Sequence, residues 1–278
     1  MTASKGSAPE FHSILGKQIE VAYYAAPQPR GLILLLHEAL GSVSYWRDFP
    51  DQLVRATGCH VLSYSRPGHG NSEGPLEERD REHYERQVDE VIPALLAAYG
   101  ATDPILYGHS EGAAIAMLYA ASGRPVRALI LESPHLKPEK DVYKYIQDLI
   151  NNYAGSRLQS GLGKYHRDAD SVFSHWAEWV LRMNVEDYFP RESLSRIRCP
   201  VLVLQGDHDE FGTRSHMEVL RQYLPDLQLH VFAGAGHLPH REQSDALLAQ
   251  VAQFLTKEET LHPVTSTQES PEPSKEIL

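Results

Sequence analysis

Short apolar runs alternate with segments of helical periodicity along most of this chain. Each run is apolar at consecutive positions, which is typical of strands buried on both faces of a sheet. The segments between them carry apolar residues at spacings of three and four, which predicts amphipathic helices. The alternation predicts an α/β fold with a mainly parallel, doubly wound sheet and crossover helices. The predicted strands are LILLLHE (32–38), CHVLSYS (59–65), PILYGHS (104–110), RALILES (127–133), PVLVLQG (200–206) and LQLHVFAG (227–234).

One long interval breaks this alternation, and the end of the chain differs in composition. Residues 137–198 hold amphipathic stretches without an apolar run like the strands, so we interpret them as a helical cap over the strand ends. The core then comprises residues 1–136 and 199–256. Residues 257–278 have few large apolar residues and three prolines, a composition that predicts a disordered acidic tail.

The charge balance excludes several classes of partner. The 278 residues include 37 acidic and 26 basic ones, and the net charge of -11 would repel nucleic acid and anionic membranes. No apolar run reaches the roughly 18 residues needed to span a bilayer, and the first residues lack the apolar segment of a signal peptide. We therefore predict a cytoplasmic protein. Cys59 and Cys199 each open an apolar run, and we interpret them as reduced core residues.

A candidate nucleophile lies where a predicted strand meets a predicted helix. The sequence Gly108-His109-Ser110-Glu111-Gly112 matches the G-x-S-x-G pattern of a nucleophile elbow. The small flanking residues let the chain turn sharply without striking the neighbouring strand and helix. Ser110 is the candidate nucleophile, and the N–H of Glu111 is a candidate donor to an oxyanion. A helix N-cap is the alternative role for Ser110.

Two later loops complete a pattern that resembles the α/β-hydrolase superfamily over residues 11–256. In that superfamily the chain order is nucleophile, acid and histidine, and the acid commonly lies in G-x-x-D after a late strand. Gly206-Asp207-His208-Asp209 follows such a strand, and His237 follows the last strand in a small loop. The resemblance implies an α/β-hydrolase fold with the cap after the sixth strand. It also implies that His237 moves the proton of Ser110 while Asp209 orients the imidazole.

Two further carboxylates stay open as alternative acids. Asp207 lies in the same loop as Asp209, and Glu132 ends a strand from which some members of the superfamily supply the acid. His237 and His240 have a spacing that zinc ligands also use, but no cluster of partner residues accompanies them. We therefore predict a site without a metal ion and without a cofactor.

The candidate oxyanion site departs from the pattern of the superfamily. Members usually carry His-Gly after the third strand, and the next residue donates an N–H to the oxyanion. Here Glu38 replaces that glycine, and Ala39 matches the donor position. We hypothesise that Glu38 contacts substrate and that Glu38 and Glu111 disfavour anionic acyl groups. The alternative is that both carboxylates pair with arginine or water.

The predicted cap contributes two candidate substrate contacts, Trp176 and Trp179, because ligands of open α/β sheets bind at the carboxyl ends of strands. Packing the cap onto the core is the alternative role for these side chains. The expected activity is hydrolysis of a small carboxylic ester, thioester or lactone with an apolar part. Carbon–carbon bond hydrolysis, lyase chemistry and non-catalytic ligand binding are the alternatives on this scaffold. A homodimer is one hypothesis for the assembly.

Overall fold

Eight strands form one sheet in the computed structural model, which describes residues 8–136, 140–182, 190–211 and 214–257. They are β1 (Glu10–Ile14), β2 (Lys17–Tyr24), β3 (Leu32–Leu36), β4 (His60–Tyr64), β5 (Ile105–His109), β6 (Ala128–Glu132), β7 (Val201–Gly206) and β8 (Gln228–Phe232). Their order across the sheet is β1-β2-β4-β3-β5-β6-β7-β8. β2 pairs antiparallel with β1 and β4, and all other neighbours are parallel. The predicted mainly parallel sheet is confirmed.

Helices follow most strands within the described residues. They are α1 (Phe49–Thr57), α2 (Arg81–Arg86), α3 (Ile92–Ala98), α4 (Glu111–Ala121), α5 (Lys140–Asn151), α6 (Arg157–Leu162), α7 (Ala169–Arg182), α8 (Arg214–Tyr223), α9 (Pro239–Glu242) and α10 (Ser244–Lys257). A π-helical turn, Gln87–Val91, joins α2 to α3, so the periodic segment before β5 forms one continuous helical stretch. Short 3₁₀ turns lie at Ser44–Trp46 and Arg191–Arg196.

The sheet separates two hydrophobic layers, and successive residues of β3 contribute to opposite layers. Leu34 and Leu36 pack with apolar residues of α3, α4 and α8, whereas Ile33 and Leu35 pack with those of α1 and α10. Because both faces are covered, the parallel strands are apolar at nearly every position. This arrangement confirms the doubly wound fold.

The two edges of the sheet differ from the expectation. The predicted strands do not include the hairpin of β1 and β2, because polar residues interrupt both runs. Its turn is Leu15-Gly16, with both residues at positive φ (51° and 73°). A two-residue turn of this kind matches the twist of paired strands. The prediction that β8 is buried on both faces is wrong. Val231 is 49% exposed, because β8 is an edge strand of the sheet.

The interval after the sixth strand folds as helices α5, α6 and α7, which confirms the predicted helical cap. Its own apolar cluster includes Ile146, Leu162 and Phe173, and Leu40 and Phe211 from the core loops pack against that cluster. The proposed boundaries between core and cap stay a prediction. Part of the cap, at 137–139 and 183–189, and the expected acidic tail after Lys257 lie outside the described residues.

Two smaller expectations concern cysteines and membranes. Cys59 and Cys199 are free, and Cys59 is buried beside the sheet, as expected for a small apolar side chain. Among the described residues, no helix combines the length and the hydropathy that a membrane span requires.

Candidate active site

Ser110 occupies a sharp turn between β5 and α4, with φ of 53° and ψ of −113°. A positive φ is costly for a residue with a side chain, so the surrounding structure must impose it. A Cβ at Gly108 would overlap the backbone of Gly112 and Ala113, and a Cβ at Gly112 would overlap the carbonyl of Leu36. The glycines of the motif are therefore required by close backbone packing. Ser110 stands at the N-cap position without making a side-chain capping bond, so the N-cap role does not explain it.

His237 and Asp209 meet through a hydrogen-bonded pair at the end of the sheet. Nδ1 of His237 lies 2.9 Å from Oδ1 and 3.0 Å from Oδ2 of the Asp209 carboxylate. The side-chain amide of Gln205 and the backbone N–H of Phe211 also donate to this carboxylate, at 2.8 and 2.9 Å. Burial acts to raise the pKa of Asp209, but its hydrogen bonds and the imidazole of His237 lower it to about 2. Asp209 is therefore an anion at neutral pH.

The surroundings of His237 raise the pKa of its imidazole. Burial acts to lower the pKa of this imidazole, but the hydrogen bond and charge of Asp209, with smaller contributions from Glu38 and Glu210, raise it above the ordinary value. Because Nδ1 faces Asp209, Nε2 is the nitrogen left for proton transfer. A proton accepted at Nε2 is stabilised by the buried carboxylate behind the ring.

The two alternative acids have other partners. Asp207 is exposed and accepts the backbone N–H of Gly234 at 2.7 Å. Glu132 is fully buried and accepts the backbone N–H and Nδ1–H of His240, at 2.7 and 2.8 Å, and the hydroxyl of Tyr107 at 2.8 Å. Among the three candidate carboxylates, the hydrogen bonds in the described part of the chain pair Asp209 with His237.

One buried group of side chains has the composition of a metal site. Ligand atoms of His109, Glu132 and His240 lie within 4.8 Å of one another. Hydrogen bonds already use these groups: Glu132 binds His240, and Nε2–H of His109 donates to the carbonyl oxygen of His237 at 2.9 Å. A metal ion at this place would have to replace those bonds. His237, the other residue of the His-x-x-His spacing, faces Asp209 instead.

The carboxylate of Glu111 is neutralised by two arginines. Arg66 donates to it at 2.6 Å and Arg79 at 2.9 Å, and the hydroxyl of Tyr84 donates at 3.1 Å. Burial acts to raise the pKa of Glu111, but Arg79 and Arg66 lower it to about 2. Pairing with arginine, the alternative interpretation, therefore holds for Glu111. This pairing contradicts the hypothesis that its charge disfavours anionic groups, because the two guanidinium groups more than offset the one carboxylate.

The carboxylate of Glu38 differs from that of Glu111, because it accepts a hydrogen bond from its own loop. Oε2 accepts the backbone N–H of Leu40 at 2.7 Å, and the Glu38 carbonyl accepts a bond from Arg66 at 3.0 Å. Burial raises the pKa of Glu38. No acceptor among the described residues receives the backbone N–H of Ala39 or of Glu111, and both residues line the cavity that contains Ser110. These two N–H groups are thus available for a ligand.

All predicted site residues except Asp209, which lies behind His237, line one cavity of about 540 Å³ between the core and the cap. Ser110 and His237 line it from the core, and Trp176 and Trp179 line it from α7. Four cationic residues that the sequence analysis did not select also line it. In the sequence they look like ordinary solvated charges, because they come from three separate segments. They are Arg47, Arg157, Lys164 and Arg241.

The chain belongs to the alpha/beta hydrolase family, whose sequence model matches residues 33–251. A monoglyceride lipase homolog from Monkeypox virus is 25% identical over 240 residues, covering 78% of this chain and 85% of that protein. A membrane phospholipase A superposes with a TM-score of 0.72 at 22% identity, covering 91% of this chain and 86% of that one. A naproxen esterase from Bacillus subtilis superposes with a TM-score of 0.68 at 20% identity, covering 90% and 92%.

Proposed function

We propose that this protein is a cofactor-independent serine hydrolase that cleaves a small carboxylic ester through an acyl-enzyme on Ser110. The observation that carries the proposal is the pairing of His237 with Asp209 beside the cavity that Ser110 also lines. Thioesters and lactones would use the same groups. Relatives and structural neighbours named as lipases and esterases support the choice of esters. A cavity of about 540 Å³ with mainly apolar walls suits a small or medium substrate with an apolar part.

The first half of the proposed reaction acylates the enzyme. Nε2 of His237 removes the proton of the Ser110 hydroxyl as the oxygen attacks the ester carbonyl carbon. The carbonyl π electrons move onto oxygen and form a tetrahedral oxyanion. The leaving alcohol then takes the proton from His237 as the bond from carbon to the alcohol oxygen breaks. Asp209 keeps Nδ1 protonated and stabilises the imidazolium that exists between these steps.

The oxyanion would be held by two backbone N–H groups, those of Ala39 and Glu111. The second lies at the start of α4, where the helix dipole also favours negative charge. The strained turn at Ser110 fixes the hydroxyl relative to these donors. In the second half, water attacks the acyl carbon while His237 accepts its proton. The Ser110 oxygen leaves with that proton, and the acid is released.

The test is covalent capture of Ser110 by a small fluorophosphonate, read by intact mass on the wild type and on Ser110→Ala. One adduct on the wild type and none on the variant is the expected result, because capture requires an activated serine. An ester and thioester screen at neutral pH then measures turnover. A folded wild type that forms no adduct and cleaves no ester would overturn the proposal. That outcome would favour chemistry without an acyl-enzyme or a ligand-binding role.

A further inference from the structure

One wall of the cavity carries positive charge. Arg157 lies at the start of α6 and Lys164 lies in the turn after it, and both are exposed. Arg47 and Arg241 line the cavity from the core. The protein as a whole has a net charge of -11, yet the four cationic residues that line this cavity outnumber its three acidic ones, Glu38, Glu111 and Glu210. The two exposed cations of the cap, Arg157 and Lys164, attract an anionic group of a ligand.

No ion pair within the described residues neutralises these four cations. Arg47 donates to the neutral hydroxyl of Tyr165 at 3.1 Å. Arg241 stacks on the ring of Tyr45, with its guanidinium carbon 3.8 Å from the ring centre, and donates to the Tyr45 carbonyl. Both partners are uncharged, so the positive charges stay available to a ligand. Arg66 and Arg79, by contrast, both bind the carboxylate of Glu111 and do not line the cavity.

Helix stability does not explain Arg157. It occupies the first position of α6, where the helix dipole favours an acidic residue and opposes a cation. The backbone N–H of Gln159 already has a cap, the hydroxyl of Ser156, at 3.1 Å. Neither the helix dipole nor capping therefore explains a cation at this position, and the cation places a guanidinium at the cavity wall.

Two acidic residues of the cavity lining, Glu38 and Glu210, lie near the candidate base His237. Glu38 and Glu210 are close enough to His237 to raise its pKa. An anionic group next to the scissile carbonyl would meet these carboxylates. Arg157 and Lys164 are exposed on the cap, whereas Ser110 is buried in the core, so an anionic group at the end of the substrate away from the scissile bond would meet these two cations instead.

We propose that the substrate is an ester with an apolar middle and a carboxylate at the end away from the scissile bond, held by Arg157 and Lys164. This inference rests on the proposed ester hydrolysis. The apolar middle would cross the cavity beside Leu158, Leu162 and Trp176, which also line it. The guanidinium and ammonium groups match a carboxylate by charge-assisted hydrogen bonds.

The experiment compares esters that differ only at the remote end. One series comprises mono-p-nitrophenyl esters of straight-chain diacids, whose second carboxyl group stays free, each matched with the compound of the same length that carries a carboxamide there. A second series places the carboxylate or carboxamide on the alcohol, as butyrate esters of ω-hydroxy acids and amides. We expect the carboxylate esters of at least one series to have a kcat/KM about three- to tenfold higher, the scale of one or two exposed charge pairs. About 0.5 M NaCl should reduce that preference, because salt screens exposed charges.

The variant Arg157→Gln/Lys164→Gln should bring the carboxylate-to-carboxamide ratio close to one. Arg55→Gln/Arg221→Gln is the matched control, since it removes two exposed arginines that do not line the cavity and changes the net charge equally. The control should keep the preference of the wild type. If Arg55→Gln/Arg221→Gln also loses the preference for carboxylate esters, the proposed contact with Arg157 and Lys164 is wrong, because the preference would then come from the overall charge of the protein.

Two other outcomes count against the proposal. If carboxamide esters are cleaved as well as carboxylate esters in both series, the carboxylate end is wrong while ester hydrolysis stands. If no ester of either kind is cleaved and the fluorophosphonate leaves Ser110 unmodified, ester hydrolysis itself is wrong and this inference fails with it.

Discussion

The imidazole of His109 donates a hydrogen bond to the backbone carbonyl of His237, across 2.9 Å. His109 is the last residue of β5, directly before Ser110, so the strand that presents the serine also holds the loop that presents the histidine. The two rings also lie in contact, with centres 5.0 Å apart. These two contacts between His109 and His237 tie the positions of both candidate catalytic side chains to one another.

Replacing His109 should therefore affect turnover more than folding. His109→Phe keeps a buried ring but removes the bond to His237, and we expect kcat to fall about 10- to 100-fold from misplacement of the base. Tyr107→Phe is the comparison, since it alters the neighbouring network at Glu132 and leaves the bond from His109 to His237 intact. Kinetics with a p-nitrophenyl ester and thermal melting measure both effects. Equal kcat in His109→Phe and the wild type would show that this bond does not position His237.

Ser110 and His237 should behave as one unit. Ser110→Ala and His237→Ala should each remove most of the turnover, and the double variant should be little slower than either single one. The reason is that each residue acts only through the other in the proposed proton transfer. Rate constants for all four proteins on one ester give the coupling directly. Losses that multiply in the double variant would contradict the shared mechanism.

The acid limb of the rate profile should depend on Glu38. His237 must be neutral to accept a proton, so kcat/KM should fall as pH decreases through the pKa of His237, which lies above its ordinary value. Glu38 helps to raise that pKa, and Glu38→Gln should move the acid limb to lower pH. Gln retains an oxygen that can accept the N–H of Leu40, which limits disturbance of the loop.

The control for this pH prediction is Glu85→Gln. Glu85 is exposed on α2, where it pairs with Arg81, and it does not line the cavity. Its removal changes the net charge equally, and we expect the acid limb to stay in place. An identical acid limb in Glu38→Gln and in the wild type would exclude Glu38 from the electrostatics of His237.

Acid should destabilise the fold partly through Glu132. Burial acts to raise the pKa of Glu132, but His240 and His109 lower it to about 2, against 4.5 for the unperturbed group. Because the folded pKa is the lower one, its contribution to stability is present above about pH 4.5 and is lost as pH falls toward 2. This single group accounts for about 2 kcal/mol of lost stability between pH 7 and pH 3.

Urea unfolding of the wild type and Glu132→Gln at several pH values tests this prediction. The variant should be less stable at pH 7, because the bonds to His240 and Tyr107 are weakened, and should lose less stability on acidification. The two curves should therefore converge toward pH 3. Parallel curves would mean that the proton taken up on acid unfolding belongs to other carboxylates.

The candidate acids show where sequence reasoning stops. Asp207, Asp209 and Glu132 all lie at the carboxyl ends of β6 and β7, two strands that are neighbours in the sheet. Chain order therefore brings all three close to the last loop. Which carboxylate faces His237 depends on side-chain direction within a few ångströms, and Glu132 turns to His240 instead. The hairpin of β1 and β2 escaped prediction for a different reason, because polar residues interrupt both of its apolar runs.

By itself, the sequence determined the parts of this protein that depend on near neighbours in the chain. Alternating apolar runs predict the two-sided parallel sheet because each strand must be apolar on both faces, and Gly108 and Gly112 predict the elbow because the turn leaves no room for a Cβ. Only the tertiary structure decided which charges meet. Glu111 is balanced by Arg66 and Arg79, whereas Arg157 and Lys164 face the cavity without an acidic partner in the described residues. Glu111 is far in the chain from both of its arginines, and the cap residues are far from Ser110, so packing alone sets their distances.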